Sequence, residues 1–333
     1  GYEGTWNDGL CHQLKYSVCA IASPPLPPLS PPPPPPQVTS ISPGAGTLQA
    51  AITAASRGDT LVLSDGVFTG SGADMLTISK DITIRALNHG QAVLDGEDAR
   101  RVIKVMSGTV VLEGINITRG SAQEYCVPYA TCSSTPPHTD GSGIYVGTGT
   151  TVYMRSCSIY DNKADRGQWS HGGGVHVATS ATVEMLSCSI HNNKAISPTG
   201  RAYGSCSCWG AHGGGIFVSN LASVRLIACS IHGNQAYYPG SGGGIEARTG
   251  ANVYLEACSI YNNQASNSVQ TCYDGSCSNG IGGGVRNSGA TITMANCVVH
   301  SNTATRDGAN VHTASGSLCT WATALTGVSG ITT

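Results

Sequence analysis

Phenylalanine is nearly missing from this chain, with 2 among 333 residues, and only 11% of the residues are charged. Two Phe are too few for the aromatic core of an ordinary globular domain, so the interior has to be built from aliphatic side chains that stack. No apolar run approaches the roughly 18 residues that mark a transmembrane helix, so none is expected. Neither sign of charge dominates: 17 Lys and Arg against 19 Asp and Glu leave a net charge of −2. That balance calls for neither nucleic acid nor an anionic membrane as a partner. The chain opens at Gly1 with no Met and no signal-peptide pattern, which reads as a processed or trimmed form.

What is abundant is glycine, 44 residues, arranged in a repeat. Gly213-Gly214-Gly215-Ile216-Phe217-Val218, followed by Val224 to Ala236, is one copy of five. The copies open at Ile144, Val175, Ile216, Ile245 and Val285. A Cys follows thirteen positions later in four copies and twelve in the fifth: Cys157, Cys188, Cys229, Cys258 and Cys297. An Asn stands five residues beyond each Cys: Asn162, Asn193, Asn234, Asn263 and Asn302. Fixed spacing within copies, with variable gaps only between them, is the mark of a repeat architecture.

Within a copy, Gly-Ile-Phe-Val, Val-x-Leu and Cys-Ser-Ile each alternate inward and outward, as strands do. Three short strands per copy predict a three-sided coil whose strands pair in parallel and in register with their equivalents about 4.8 Å away. The Cys column then becomes a ladder of buried thiols, because in-register Cβ atoms about 4.8 Å apart lie beyond the usual disulfide range. The Asn column becomes a ladder of amide hydrogen bonds. The fold class that follows is all-β, a parallel β-helix.

The Gly-Gly-Gly-Ile and Cys-Ser-Ile-x-x-Asn-x-Ala phrases resemble the right-handed, pectin-lyase-like β-helix superfamily. In particular they are similar to the short repeats of polymorphic outer membrane proteins and of eukaryotic extracellular β-helix proteins. The resemblance covers roughly residues 38–315. It implies a right-handed three-sided solenoid and says little about activity, since that superfamily includes lyases, hydrolases, adhesins and structural members. Residues 47–56 put Leu48, Ala51, Ile52 and Ala55 on one helical face, and with the following Gly-Asp-Thr-Leu-Val-Leu they look like the superfamily's N-terminal cap. Leu112 to Ala122 spells the repeat with Ile115 for Cys and Gly120 for Asn, so the coils begin earlier than their spelling shows.

Nine of the 14 cysteines lie outside the ladder. Close pairs in polar loops point to an oxidising compartment and disulfides: Cys11–Cys19, Cys126–Cys132, Cys206–Cys208 and Cys272–Cys277, with Cys319 alone. The partner of Cys208 stays open, because a Cys-x-Cys bridge is tight. Metal binding competes, but Cys206 and Cys208 lack a second pair at zinc-finger spacing.

Three domains are expected: a Cys-bridged segment at 1–22, a Pro-rich linker at 23–37 and the β-helix at 38–333. The linker, with Pro24, Pro25, Pro27, Pro28 and Pro31, Pro32, Pro33, Pro34, Pro35, Pro36, should form a polyproline II rod roughly 40 Å long at about 3.1 Å per residue. It resembles the hydroxyproline-rich glycoproteins of plant and green-algal walls, which implies hydroxylated and O-glycosylated prolines. Asn116 opens the single N-glycosylation sequon, at an outward position.

For chemistry, lyases of this superfamily use clustered carboxylates for Ca²⁺ with an Arg or Lys base, and hydrolases use stacked Asp. The column through Glu184 reads Tyr153, Glu184, Arg225, Tyr254, Thr293, and that through Glu246 reads Tyr145, His176, Phe217, Glu246, Arg286. Carboxylates are never neighbours in either, and no polygalacturonase phrase (Asn-Thr-Asp, Gly-His-Gly, Arg-Ile-Lys) occurs. One outward column, Tyr160, His191, His232, Tyr261 and His300, reads either as an aromatic ribbon stabilising the sheet or as a strip for stacking sugars or holding a metal. The pair His171 and His212, each before Gly-Gly-Gly, reads as structural. The expectation is therefore a non-enzymatic, secreted subunit of a wall, matrix or surface filament, without cofactor or metal. It would polymerise with itself through residues 1–37 and carry covalent glycans. The alternatives are a polysaccharide-binding or polysaccharide-degrading β-helix, with wall polysaccharide as partner, and an adhesin.

Overall fold

The computed structural model describes residues 35–122, 138–165, 169–197, 210–237, 240–266 and 280–321. Among the described residues the strands run from Val38 to Trp321 with one helix, Thr47–Ala54, and every strand pairing is parallel. Successive copies pair in register, Val152 with Val183, Val183 with Val224 and Val224 with Val253, so each coil lies on the one before. This is a parallel β-helix.

Three ladders form its sides. One contains the strands that follow the glycines (Ile144–Val146, Val175–Val177, Ile216–Val218, Ile245–Arg248), and the second contains those such as Ser223–Ile227. The third contains Ser158–Tyr160, Ser189–His191, Ser230–His232 and Ser259–Tyr261. The structure adds two ladders that alternation alone did not predict. One holds the short strands after the Asn column, such as Lys194–Ile196; the other holds His138–Asp140, Trp169–His171, Ala211–His212 and Gly240–Ser241, just before the glycines. Two- and three-residue strands carry too little alternation to be read from sequence.

The interior is the predicted set of aliphatic columns. Ile144, Val175, Ile216, Ile245 and Val285 are fully buried, as are Ile159, Ile190, Ile231, Ile260 and Val299. The five ladder cysteines are buried free thiols, and Cys229 Sγ donates to Met185 O and Ile227 O. The eight expected disulfide cysteines lie outside the described residues, and Cys319 is exposed and unbridged. Leu48 and Ile52 of the helix pack on the first coil, with Ala51 and Ala55 beside them, so the apolar stripe covers a core that would otherwise meet water.

The asparagine ladder is present and longer than its spelling. Asn162 Nδ2 donates to Asn193 Oδ1 at 2.9 Å, and the pattern repeats through Asn234, Asn263 and Asn302 to Asn310. At the other end Gly120, which stands in the Asn place, donates its backbone N–H to Asn162 Oδ1. Residues just before the Cys and Asn columns make left-handed corners, for example Ala228 at φ 51° and Asn192 at φ 56°. The glycine triplets have a different cause. Gly213 sits at φ 61°, and a Cβ on Gly214 would come within 2.5 Å of Gly243 O in the next coil.

Candidate functional site

The glycine turn brings two outward columns face to face. Four residues before each inward aliphatic stand Asp140, His171, His212, Ser241, Ile281 and Asp307; one residue after it stand Tyr145, His176, Phe217, Glu246, Arg286 and His312. Register holds along both columns: Asp140 pairs with His171 and His171 with His212, while Tyr145 pairs with His176 and Phe217 with Glu246. The positive-φ glycine that follows the first column reverses the chain, so the columns meet over the first side of the coil. The connections outside the described residues, such as 123–137, 198–209 and 267–279, each stop one or two residues short of a first-column residue, Asp140, His212 and Ile281.

At one level of this face Asp140, His171 and His176 converge. His171 Nδ1 lies 2.8 Å from Asp140 Oδ1, and His176 Nδ1 lies 3.6 Å from the same oxygen. One ligand atom from each of the three falls within 4.8 Å of the others. Burial alone would raise the Asp140 pKa, but the His176 charge and the His171 hydrogen bond outweigh it and hold the carboxyl well below its usual range. Burial lowers His171 to about 4 against the opposing pull of Asp140, so the imidazole is neutral at pH 7. Arg101 braces the strand from behind: its Nε donates to Asp140 O, and its guanidinium pairs with Asp74 at 2.6 Å.

Two coils further on, Glu246 is completely buried. It accepts from Ser241 Oγ at 2.6 Å, lies 3.1 Å from His212 Nδ1 and is flanked by Arg248 at 3.0 Å and Arg286 at 3.8 Å. Burial pushes its pKa up, yet His212 and the two guanidiniums together bring it well below the ordinary glutamate value. Burial also depresses His212. His171 and His212 stack at 5.4 Å, and Phe217 lies 4.5 Å from His171, so the two clusters are continuous. At the rim Tyr145, Trp169, Lys104 and Arg248 are half-exposed.

The sequence reading of the Glu246 column is correct in every residue, and no two carboxylates are neighbours within it. That reading took the column and the His171/His212 pair separately, whereas the structure brings the two together, with His171 4.5 Å and His212 6.2 Å from Phe217. The spacing X-Gly-x-x-[Ile/Val]-Z, repeated from Asp140 to His312, was the signal that two outward columns meet. Asp140 in one column and His176 in the other, with His171, form a group whose ligand atoms lie close enough to hold a metal ion, a grouping that reading each column alone does not find.

The second predicted strip is equally regular. Tyr160, His191, His232, Tyr261 and His300 stack at 4.8–5.4 Å with interplanar angles of 1–9°. Their faces are thus turned to one another along the helix and their edges outward. Asn116 is half-buried on an outward position, and its Nδ2 donates to Gly90 O; a glycan there would replace that bond.

A solenoid of parallel coils paired in register defines a β-helix protein. Residues 138–321, more than half of the chain, match the family described as right handed beta helix region, and the chain belongs to it. No curated protein matches the sequence. Among solved structures, pectate lyase Pel9A is similar with TM-score 0.50 and 15% identity, over 83% of this chain and 68% of that one. The PL6 family alginate lyase AlyGC aligns with TM-score 0.32 and 12% identity, over 86% and 40%. A mannuronic acid specific polysaccharide family 6 lyase from human gut microbiota aligns with TM-score 0.29 and 12% identity, over 85% and 82%. At such identities the likeness is one of fold.

Proposed function

We propose that this is a secreted protein acting on an extracellular polysaccharide, and that it does so on the face where the two columns meet. The observation that supports this is the grouping of Asp140, His171, His176, His212 and Glu246 under a half-exposed rim of Tyr145, Trp169, Lys104 and Arg248. Polar groups converging beneath aromatic and cationic rim residues suit a sugar polymer: the rings meet its apolar faces, and the cations meet its hydroxyls or carboxylates. At neutral pH the His171 imidazole is held neutral and the Asp140 and Glu246 carboxylates ionised, so the face sets a neutral imidazole and two fixed negative charges beneath the rim. Pectate lyase Pel9A is similar in fold, which makes pectate the first polymer to try.

The test is affinity electrophoresis and ultraviolet detection of unsaturated uronates over a panel of uronic-acid and neutral polymers. The native chain should retard on or cleave at least one, and a Trp169→Ala/Lys104→Ala variant should lose that interaction. A panel without any interacting polymer, or a double variant behaving like the native chain, would refute the proposal.

A second reading rests on the last strand. Val311–Trp321 pairs with Val285–Ala295 alone among the described residues, and Ala314 to Ser317 are exposed. An unpaired edge of this kind is a template for another chain. Residues 1–22, carried on a hydroxyproline-type linker at 23–37, would dock there on a neighbouring copy and build a glycosylated wall or surface filament. Deleting residues 1–37 should leave folded monomers that no longer assemble when imaged by electron microscopy; filaments from the deleted form would dismiss it.

A further inference from the structure

We propose that Asp140, His171 and His176 bind one divalent transition-metal ion, with Zn²⁺ as the reference ion. The inference goes beyond the polysaccharide reading and stands without it, since metal binding is measured with no glycan present.

The ligands come from two adjacent coils. Asp140 and His171 are paired neighbours in the short ladder before the glycines, and His176 follows His171 by five residues across the turn. A four-coordinate ion with nitrogen and oxygen ligands at about 2.0–2.1 Å holds those ligands roughly 3.3 Å apart. The distances from Asp140 Oδ1 to the two imidazoles, 2.8 and 3.6 Å, lie on either side of that value. Three side chains leave one position open for solvent or a substrate oxygen.

His176 supplies the independent observation. Its side chain is only 7% exposed, and its buried Nδ1 has no hydrogen-bond partner. The other ring nitrogen, Nε2, lies 3.1 Å from Ser219 Oγ. If the ring is neutral and Nε2–H donates to Ser219, Nδ1 presents a lone pair to the carboxylate of Asp140. If instead Ser219 donates, Nδ1 carries a buried proton 3.6 Å from the oxygen, too far to bond. A cation between Nδ1 and Oδ1 satisfies both groups. The first arrangement is also the one in which an outer hydroxyl orients a metal-bound imidazole. Two imidazoles and a carboxylate suit zinc and its first-row neighbours; Ca²⁺ prefers about six to eight oxygens.

Chelator-stripped full-length protein should bind one equivalent of Zn²⁺ by calorimetry, and Co²⁺ should give visible ligand-field bands from the same site. Zn²⁺ should bind more tightly than Ca²⁺. His176→Ala or Asp140→Asn should weaken Zn²⁺ binding by about 100-fold or more, and Ser219→Ala by about 10-fold, since outer-shell partners are typically worth about 10–100-fold. His191→Ala in the outer strip should change nothing. Ser219→Ala deletes one hydroxyl, so its readout survives should a ligand variant fail to fold. The proposal is overturned by an absence of Zn²⁺ binding at micromolar concentration, by binding unchanged in Ser219→Ala, by loss of binding in His191→Ala, or by Ca²⁺ outcompeting Zn²⁺.

Discussion

Replacing Asn234 with Ala tests what holds the coils in register. The side chain makes four buried hydrogen bonds. Nδ2 donates to Ile190 O at 2.9 Å and Asn263 Oδ1 at 3.0 Å, while Oδ1 accepts from Asn193 N and Asn193 Nδ2, both at 3.0 Å. In Asn234→Ala the Asn193 backbone N–H loses its acceptor, which costs about 1–3 kcal/mol for a buried donor. The other three bonds remove about 1 kcal/mol each at net value, although Asn263 Oδ1 keeps its bond from Asn234 N. The total, about 4–6 kcal/mol, is a large share of the roughly 5–15 kcal/mol that folded domains possess. Asn234→Asp is the sharper probe. It preserves size and the Oδ1 acceptor but turns a carboxylate oxygen toward Ile190 O and Asn263 Oδ1, so it should destabilise more than Ala. Guanidinium unfolding gives the ranking, and native-state hydrogen exchange should show the Asn193 amide opening faster in both variants. If Ala costs under about 1 kcal/mol, a small fraction of what the lost bonds imply, or if Asp is no worse than Ala, the amides only fill space.

Two further outcomes follow from buried titratable groups. In metal-free protein His171 has its pKa lowered from 6.5 to about 4, so the unfolded chain takes up the proton first as pH falls. Its contribution is fully present above pH 6.5, is lost on descending toward pH 4, and amounts to about 3 kcal/mol at 1.36 kcal/mol per pH unit. Burial-depressed His212 acts in the same direction, and unfolding midpoints that rise between pH 6.5 and 4.5 on acidification would contradict this. Neighbouring thiols, with burial, push Cys188 and Cys229 up to about 12 and Cys258 up to about 11. Peptide mapping after native iodoacetamide treatment should find these three unmodified and exposed Cys319 modified; rapid labelling of the three would mean that the coils open.

The coil was legible because its physics is one-dimensional. Each inward position meets its own equivalent one coil away, so Val152 over Val183 or Asn162 over Asn193 follows from spacing alone once the period is known. The last rung, Asn310, escaped because it stands in the third glycine's place of its copy, Gly308-Ala309-Asn310, and not five residues after a Cys; its Oδ1 nevertheless accepts from Asn302 Nδ2. The two short ladders escaped for lack of length.

The face where the two columns meet was harder to see because it depends on a relation that stacking does not encode. Repeat spacing orders residues along the helix axis, whereas contact between Asp140 and His176 depends on the angle at which the chain turns at Gly172, whose φ is 64°. A Cβ there would come within 2.2 Å of Val175 O, so only glycine permits the reversal that presents one column to the other. Searching each column for adjacent carboxylates could not find a site that takes its acid from one column and imidazoles from both. The same turn recurs at Gly213 and Gly242 with φ near 60°, but there the facing pairs are His212 with Phe217 and Ser241 with Glu246. The backbone therefore repeats the device in successive coils, and side-chain identity alone decides which groups face one another in each. Among the described residues, the level of His171 and His176 is the one at which two imidazoles and a carboxylate meet.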